Sequence, residues 1–283
     1  MLAVMAVWEL YKFVGPAEGL VIGAIDGETG SGVMILPRSH DRAMPHIWDM
    51  GARLFQSTSG GDTPPLFVPV VTAALTTLGI AAVGLLIGVT VGVILGVVMQ
   101  RWRLAEWGLL PWIVVSQTVP LIAFAPLLAS IGTQIDRGGF PFPQWLSVAV
   151  IASYLAFFPV AVGVLRGLEA PDRIHLDLMS SYDAGYWSTL FRLRFPAAVP
   201  HLLPALRLAA AAAVLGAVVA EVSIGMRGGI GRMLIQLAGQ GSSDPAAPWG
   251  PTFGAIALGL IAAGSVALLG LGLKNYRRGE AIA

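Results

Sequence analysis

VPVVTAALTTLGIAAVGLLIGVTVGVILGVVM, residues 68–99, contains no charged side chain from end to end. Wound as an α-helix, it is about 48 Å long at a rise of about 1.5 Å per residue. The hydrocarbon core of a bilayer is about 30 Å thick. One helix of this run therefore crosses a membrane with length to spare for tilt. The rest of the chain agrees. Of 283 residues, 56% are hydrophobic and only 12% are charged, and the mean hydropathy is +0.77. A soluble domain carries about 25% charge, and disorder needs low hydrophobicity. Both classes are excluded. The reading is an all-α, polytopic helical membrane protein with five or six transmembrane helices.

Working outward, Leu109–Ile131 is apolar but holds Pro111, Pro120 and Pro126, which predicts a bent or broken span. Trp145–Leu165 carries Pro159, and Pro251–Leu273 is uncharged. Leu202–Val222 is alanine-rich, with Arg207 inside it and Glu221 near its end. Met1–Val14 is short and holds Glu9 and Lys12, so either the true start lies upstream or this helix is stunted. Met1 runs into apolar residues without a basic leader, so no cleavable signal is expected. Arg101, Arg103, Arg166, Arg173, Arg192, Arg194, Lys274, Arg277 and Arg278 fall on one side, read as cytoplasmic; Arg137, Arg227 and Arg232 are the bases of the opposite short loops. The turn-rich run Asp26–Gly32 reads as an external loop. Ile47–Phe55, with apolar Ile47, Met50, Leu54 and Phe55, reads as a short interfacial helix.

Gly84, Gly88, Gly92 and Gly96 recur every four residues and make a groove along one helix face. Packing inside one chain is the plainer reading; a dimer or gating contact is the other. Net charge is +1, so no nucleic-acid partner is implied. Without cysteine there is neither disulfide nor thiolate metal site. His40, His46, His175 and His201 show no ligand spacing and are read as surface or interface residues, so no metal is expected.

The segment RGLEAPDRIHLDLMSSYDAGYWSTLFRLRFPAAVPHLLPALR, residues 166–207, is too long for a simple connection between membrane helices. Asp172 can cap a helix in which Ile174, Leu178 and Tyr182 form a stripe beside Met179. Asp183 can cap a second helix with Trp187, Leu190 and Phe191 on its apolar face. Pro196, Pro200 and Pro204 then lead into the next span. The apolar faces either fold back on the bundle, lie in the headgroups or meet a partner.

This segment resembles the cytoplasmic loop of permease subunits of bacterial ABC importers, whose pattern is Glu-Ala-Ala, three residues, Gly, nine residues, an aliphatic, one residue, Leu-Pro. Anchored on Pro196, the pattern places its aliphatic on Leu193, its Leu on Phe195, its Gly on Asp183 and its Glu-Ala-Ala on Asp177, Leu178 and Met179. Asp183 departs from the pattern, although Asp tolerates a left-handed or capping conformation better than most residues. ILPRSHDRAMPHIWDMGARLF (35–55), SQTVPLIAFAPLLASIG (116–132) and FPAAVPHLLPALRLAAAAAVLGAVVAEVSIGMRGGIGRML (195–234) are similar to further segments of the same family, in order, so the resemblance spans roughly residues 35–275. The chain is most similar to the branch serving taurine, alkanesulfonates, nitrate and thiamine-pyrimidine precursors. DLMSSY with LRFPAAVP is most like permeases for the thiamine-pyrimidine precursor or riboflavin.

The resemblance implies a permease domain over 66–275 with its coupling loop near 169–197, preceded by an N-terminal helix, external loop and interfacial helix over 1–65 and followed by a cytoplasmic tail, 276–283. It implies two permease copies, an ATPase subunit dimer seated on the coupling loops, a periplasmic or lipid-anchored binding protein, and a place in the bacterial inner membrane among its lipids. It implies Asp177, Ser180, Ser181, Asp183, Ala184, Gly185 and Pro196 at the ATPase contact, and Pro120, Pro126, Glu221, Gly229 and Gly231 along the pathway or its gate. The sequence has no Gly-x4-Gly-Lys-Ser/Thr run, so ATP and Mg belong to the partner ATPase and the chain is expected to be no enzyme and to carry no cofactor. Arg207 is expected to snorkel toward the cytoplasmic end. Glu221 is expected either to bond across a dimer or to serve an outer gate. An ion-coupled secondary transporter is the alternative reading; it calls for inverted repeats and charged relays within spans. A membrane enzyme calls for a mid-span cluster of His, Asp or Ser, and a scaffold leaves the ordered loop unexplained.

Overall fold

A computed structural model describes residues 2–22, 33–57, 63–139 and 142–272. The turn-rich run at 26–32 and the basic residues Lys274, Arg277 and Arg278 lie outside the described residues. In chain order the elements are α1 (Leu2–Val14), β1 (Leu20–Ile22), β2 (Val33–Leu36), α2 (Ile47–Leu54), α3 (Phe67–Arg101), α4 (Arg103–Ser116), α5 (Leu121–Arg137), α6 (Gln144–Glu169), α7 (Arg173–Ser181), α8 (Tyr186–Thr189) running through a π turn (Leu190–Arg194) into α9 (Phe195–Ile224), then α10 (Ile230–Ala238) and α11 (Trp249–Gly272). The architecture is all-α apart from the β1–β2 hairpin, which pairs Leu20 with Leu36. α3, α6, the Tyr186–Ile224 helix and α11 are each long and apolar enough to cross a membrane, and α4 with α5, bent by 100°, makes a fifth candidate span. α1, with 13 residues, rises about 20 Å.

The prolines act unequally. Of Pro111, Pro120 and Pro126, Pro120 alone stands at a helix break. It disfavours the helical conformation at Val119 and stands as the cap residue ahead of α5 with ψ 110°, whereas Pro111 and Pro126 lie inside α4 and α5. Pro196, Pro200 and Pro204 do not precede the fifth span; they lie within α9. Their four-residue spacing confines the missing hydrogen bonds to one face, because the Pro200 and Pro204 rings face the carbonyls of Pro196 and Pro200. The π turn before them absorbs the change in winding.

The chain forms two compact units, residues 1–73 with 233–254 and residues 74–232 with 255–283. In the first, the loop between β2 and α2 is tied to α1. Glu9 accepts from the Ile47 amide at 2.9 Å and lies 2.9 Å from His46 Nδ1. Lys12 Nζ donates to Asp41 Oδ1 at 2.7 Å and to the Met44 carbonyl at 2.5 Å. That donated bond holds the Asp41 carboxyl below the usual carboxylate range. Arg53 pairs with Asp244 at 2.6 Å, and Trp8 meets Trp249 edge to face. α2 turns Met50 inward and leaves Trp48 and Phe55 exposed.

In the second unit α6 is the axis. Val148, Ala149, Ile151, Ala152, Ala156, Val160, Ala161, Val164 and Leu168 are fully buried. The four-residue glycine ladder of α3 seats on it. A Cβ on Gly84 would stand 2.5 Å from the Ala152 Cβ, and one on Gly92 2.7 Å from the Val160 Cβ. Gly88 and Gly96 meet Ala156 and Val164 in the same way. The groove is thus occupied by the chain's own α6. On α6's other flank a Cβ on Gly167 would meet Ala198 of α9 at 2.8 Å. Dense packing of small residues lets three helix backbones approach without a polar bond.

Candidate functional site

One end of the second unit, called inner after the sequence reading, holds the segment expected to be the coupling loop. Asp172 precedes α7, but its side chain makes no cap bond. Ser180 and Ser181 donate their hydroxyls back to the Asp177 carbonyl at 2.8 and 2.9 Å. α7 closes on Asp183, which has φ +51°, while the Ala184 amide bonds the Met179 carbonyl at 3.0 Å. This is a left-handed helix stop, formed by Asp183 at the position where the family pattern has Gly. Asp183 does not cap the second helix, since Gly185 stands in front of α8. Pro196 is in the first turn of α9.

The segment's apolar faces divide. Leu190 is buried inward, contrary to its expected place beside Trp187 and Phe191. Ile174, Leu178, Tyr182, Trp187 and Phe191 remain exposed, Ile174 and Tyr182 by more than three quarters (76% and 79%). Trp187, Phe191 and Phe195 stack in a row, with centroids 6.1 and 5.6 Å apart. Beneath the exposed face the segment is anchored. Tyr186 donates its hydroxyl to Gln100 Oε1 at 3.0 Å, and the Arg101 guanidinium lies 4.3 Å over the Tyr186 ring. Arg194 donates to the Leu168 carbonyl at 2.7 Å.

The outer end is the opposite in kind. Glu221 and Thr77 are both 0% exposed. Thr77 donates its hydroxyl to Glu221 Oε1 at 2.8 Å, with Oε2 at 3.0 Å, and accepts the Ile230 amide at 2.9 Å. The Gly231 amide donates to Glu221 Oε2 at 2.8 Å. The carboxyl group therefore satisfies the first turn of α10, where backbone donors have no intrahelical partner. Among the described residues, the hydrogen-bond partners of Glu221 are Thr77 and Gly231. A Cβ on Gly229 would strike the Glu221 carboxyl group, and one on Gly231 would stand 2.5 Å from the Val218 carbonyl. Both glycines are thus required by the close approach.

Pro120 and Pro126 stand at the α4–α5 break and inside α5. The Tyr154 hydroxyl donates to the Ser116 carbonyl beside that break, which also accepts the Val119 amide at 3.3 Å. Arg207 sits about 18 Å along α9, deeper than an end position, with Nε enclosed and without a hydrogen-bond partner. Among the described residues no group of three His, Cys, Asp or Glu is placed to hold a metal. Thr77, Gln100 and Tyr186 escaped the sequence reading. Thr77 is one hydroxyl within an uncharged span, and a ring beneath a guanidinium is a contact only the fold creates.

Comparison with known proteins places these features. Residues 88–276 match the family of binding-protein-dependent transport system inner membrane components. The formylaminopyrimidine transport permease protein of Halalkalibacterium halodurans is 32% identical over 173 residues, 60% of this chain and 65% of that one. A probable ABC transporter permease protein of Haemophilus influenzae is 32% identical over 152 residues, 54% and 58%. A riboflavin transport system permease protein of Chloroflexus aurantiacus is 27% identical over 133 residues, 47% and 46%. The matched part thus spans less than two thirds of each of these relatives.

Proposed function

This chain belongs to the binding-protein-dependent transport inner membrane component family, a multi-pass inner-membrane permease of the ABC type, and from that premise we propose that it forms the translocation pathway of an ATP-driven importer. ATP hydrolysis takes place on a separate ATPase dimer, to which the 173–194 segment presents its exposed face. Two permease copies enclose the pathway, and a substrate-binding protein delivers the solute from outside. The observation that carries this reading is an apolar, aromatic surface exposed on a segment whose own base is firmly tied to the bundle. Such a surface is suited to a protein groove.

The mechanism is alternating access. Nucleotide binding changes the ATPase dimer's shape, and its different affinity for two permease states shifts their populations. Irregular backbone at membrane depth is tolerated where it lines a cavity, which supports the α4–α5 break at Pro120 as pathway lining. For the solute, a small polar heterocycle is the reading, a thiamine-pyrimidine precursor or riboflavin, as the names of two relatives support; taurine, sulfonates or nitrate come next. The chain contributes no catalytic group of its own.

Co-purification tests the proposal. A partner ATPase should be captured by the wild type and lost with Asp177→Lys, and among solutes given with the binding protein a pyrimidine should stimulate ATP hydrolysis most. Failure of the wild type to capture any ATPase would sink the importer reading.

A further inference from the structure

α3 and the Tyr186–Ile224 helix both pack on α6 in the second unit and are tied to each other at both ends. At the inner end the tie is Tyr186, bonded to Gln100 and lying under Arg101. At the outer end it is Thr77, bonded to Glu221 and to the Ile230 amide. Along α3 the two ties are about 35 Å apart. Between them the glycine ladder holds α3 on α6, leaving no slack for a local shift. A helix fixed at one end bends along its length under load; a pair fixed at both ends transmits displacement.

We infer that Tyr186 and Thr77 are positioning residues that close α3 and α9 into one frame, so that movement imposed on the coupling segment arrives at the first turn of α10. The inference rests on the importer reading for the source of the movement, although the frame belongs to the chain alone. Neither residue touches nucleotide or solute; each acts by holding the helices in register. Because the frame is a closed loop, opening it at either tie removes most of its stiffness. Opening it at the second tie removes little more.

The first readout needs no partner. Amide hydrogen exchange at Ile230 and Gly231 is followed in the purified full-length chain in detergent. Tyr186→Phe keeps the ring over Arg101 and deletes only the hydroxyl. The inference predicts exchange faster by about fivefold at those distant amides, the factor that one net hydrogen bond carries, with no loss of thermal stability beyond a few degrees. Unchanged exchange at Ile230 and Gly231 overturns it. The second readout is uptake per ATP hydrolysed in proteoliposomes with the partner ATPase and binding protein. Tyr186→Phe and Thr77→Val should each lower the ratio by about fivefold, Thr77→Ser should restore it, and the double variant should resemble either single one. Independent sites this far apart combine additively in free energy, so a double variant lower by the product of the two factors overturns the frame. A wild type that captures no ATPase overturns the importer reading, and the exchange result then still decides the frame.

Discussion

The two ends of α3 invert the ordinary relation between side chain and solvent. At the inner end Ile174, Tyr182, Trp187 and Phe191 are apolar and exposed. At the outer end Thr77 and Glu221 are polar and wholly buried. Each inversion costs free energy unless something else offsets it. For the buried carboxyl group the offset lies in two donors, the Thr77 hydroxyl and the Gly231 amide in the first turn of α10. For the exposed aromatics, the offset is the one the importer proposal supplies, burial against a partner ATPase. The contrast teaches that the Thr77–Glu221 site is satisfied by groups of this chain, whereas the exposed face is the one the importer proposal gives to a partner.

Substitutions should separate the two ends accordingly. Glu221→Ala removes the acceptor of the buried Gly231 amide and one bond of Thr77, and a buried group left unpaired costs about 1–3 kcal/mol. Thermal unfolding in detergent should show the largest loss of the set, about 3 kcal/mol over the groups stranded. Glu221→Gln keeps the shape and one acceptor oxygen; it should leave assembly intact and reduce uptake, and unchanged transport would confine the residue to structure. Gly92→Ala drives a methyl into Val160 and should destabilise by about 1–3 kcal/mol through overpacking. At the inner end, Trp187→Ala should shift stability by no more than about 0.5 kcal/mol. The same change should weaken ATPase binding by about 30-fold, the cost of losing one aromatic anchor of about 2 kcal/mol. A large stability loss without a binding loss would erase the contrast. Asp183→Gly should stabilise the turn by up to about 1 kcal/mol, since φ +51° strains an L residue and suits glycine.

The smallest effect concerns the first unit. Lys12 holds the Asp41 carboxyl below its usual range, so the folded state binds that proton less readily than the unfolded one. The resulting stabilisation is present above the ordinary carboxylate range, near pH 4, and fades as pH falls through the lowered value. Hydrogen exchange across residues 37–47 should therefore rise on acidification. Asp41→Asn should remove that dependence.

Much of the fold was legible because hydropathy and length decide it. The uncharged run at 68–99 became α3 with its ends moved by one and two residues. The glycine period named the packing face, though the sequence left open whether α6 or a second copy would fill it. Proline was read too uniformly. A proline is disruptive where the residue before it must leave the helix, as at Val119, and is absorbed where its neighbours share one face, as at Pro196, Pro200 and Pro204. Asp183 was legible in its tolerance for a left-handed backbone and misread as a cap, because both roles suit the same residue type. The ties at Tyr186 and Thr77 were illegible, since each joins positions at least 86 residues apart, and no local pattern marks such a pair.

Proteoliposomes holding this chain, its partner ATPase and the binding protein give the most direct test of the central claim. Solute uptake is followed with and without ATP, in the presence of an ionophore that dissipates proton and sodium gradients. The account predicts uptake that requires ATP and persists with the ionophore. Uptake that proceeds without ATP and collapses with the gradient would contradict it and establish an ion-coupled carrier instead.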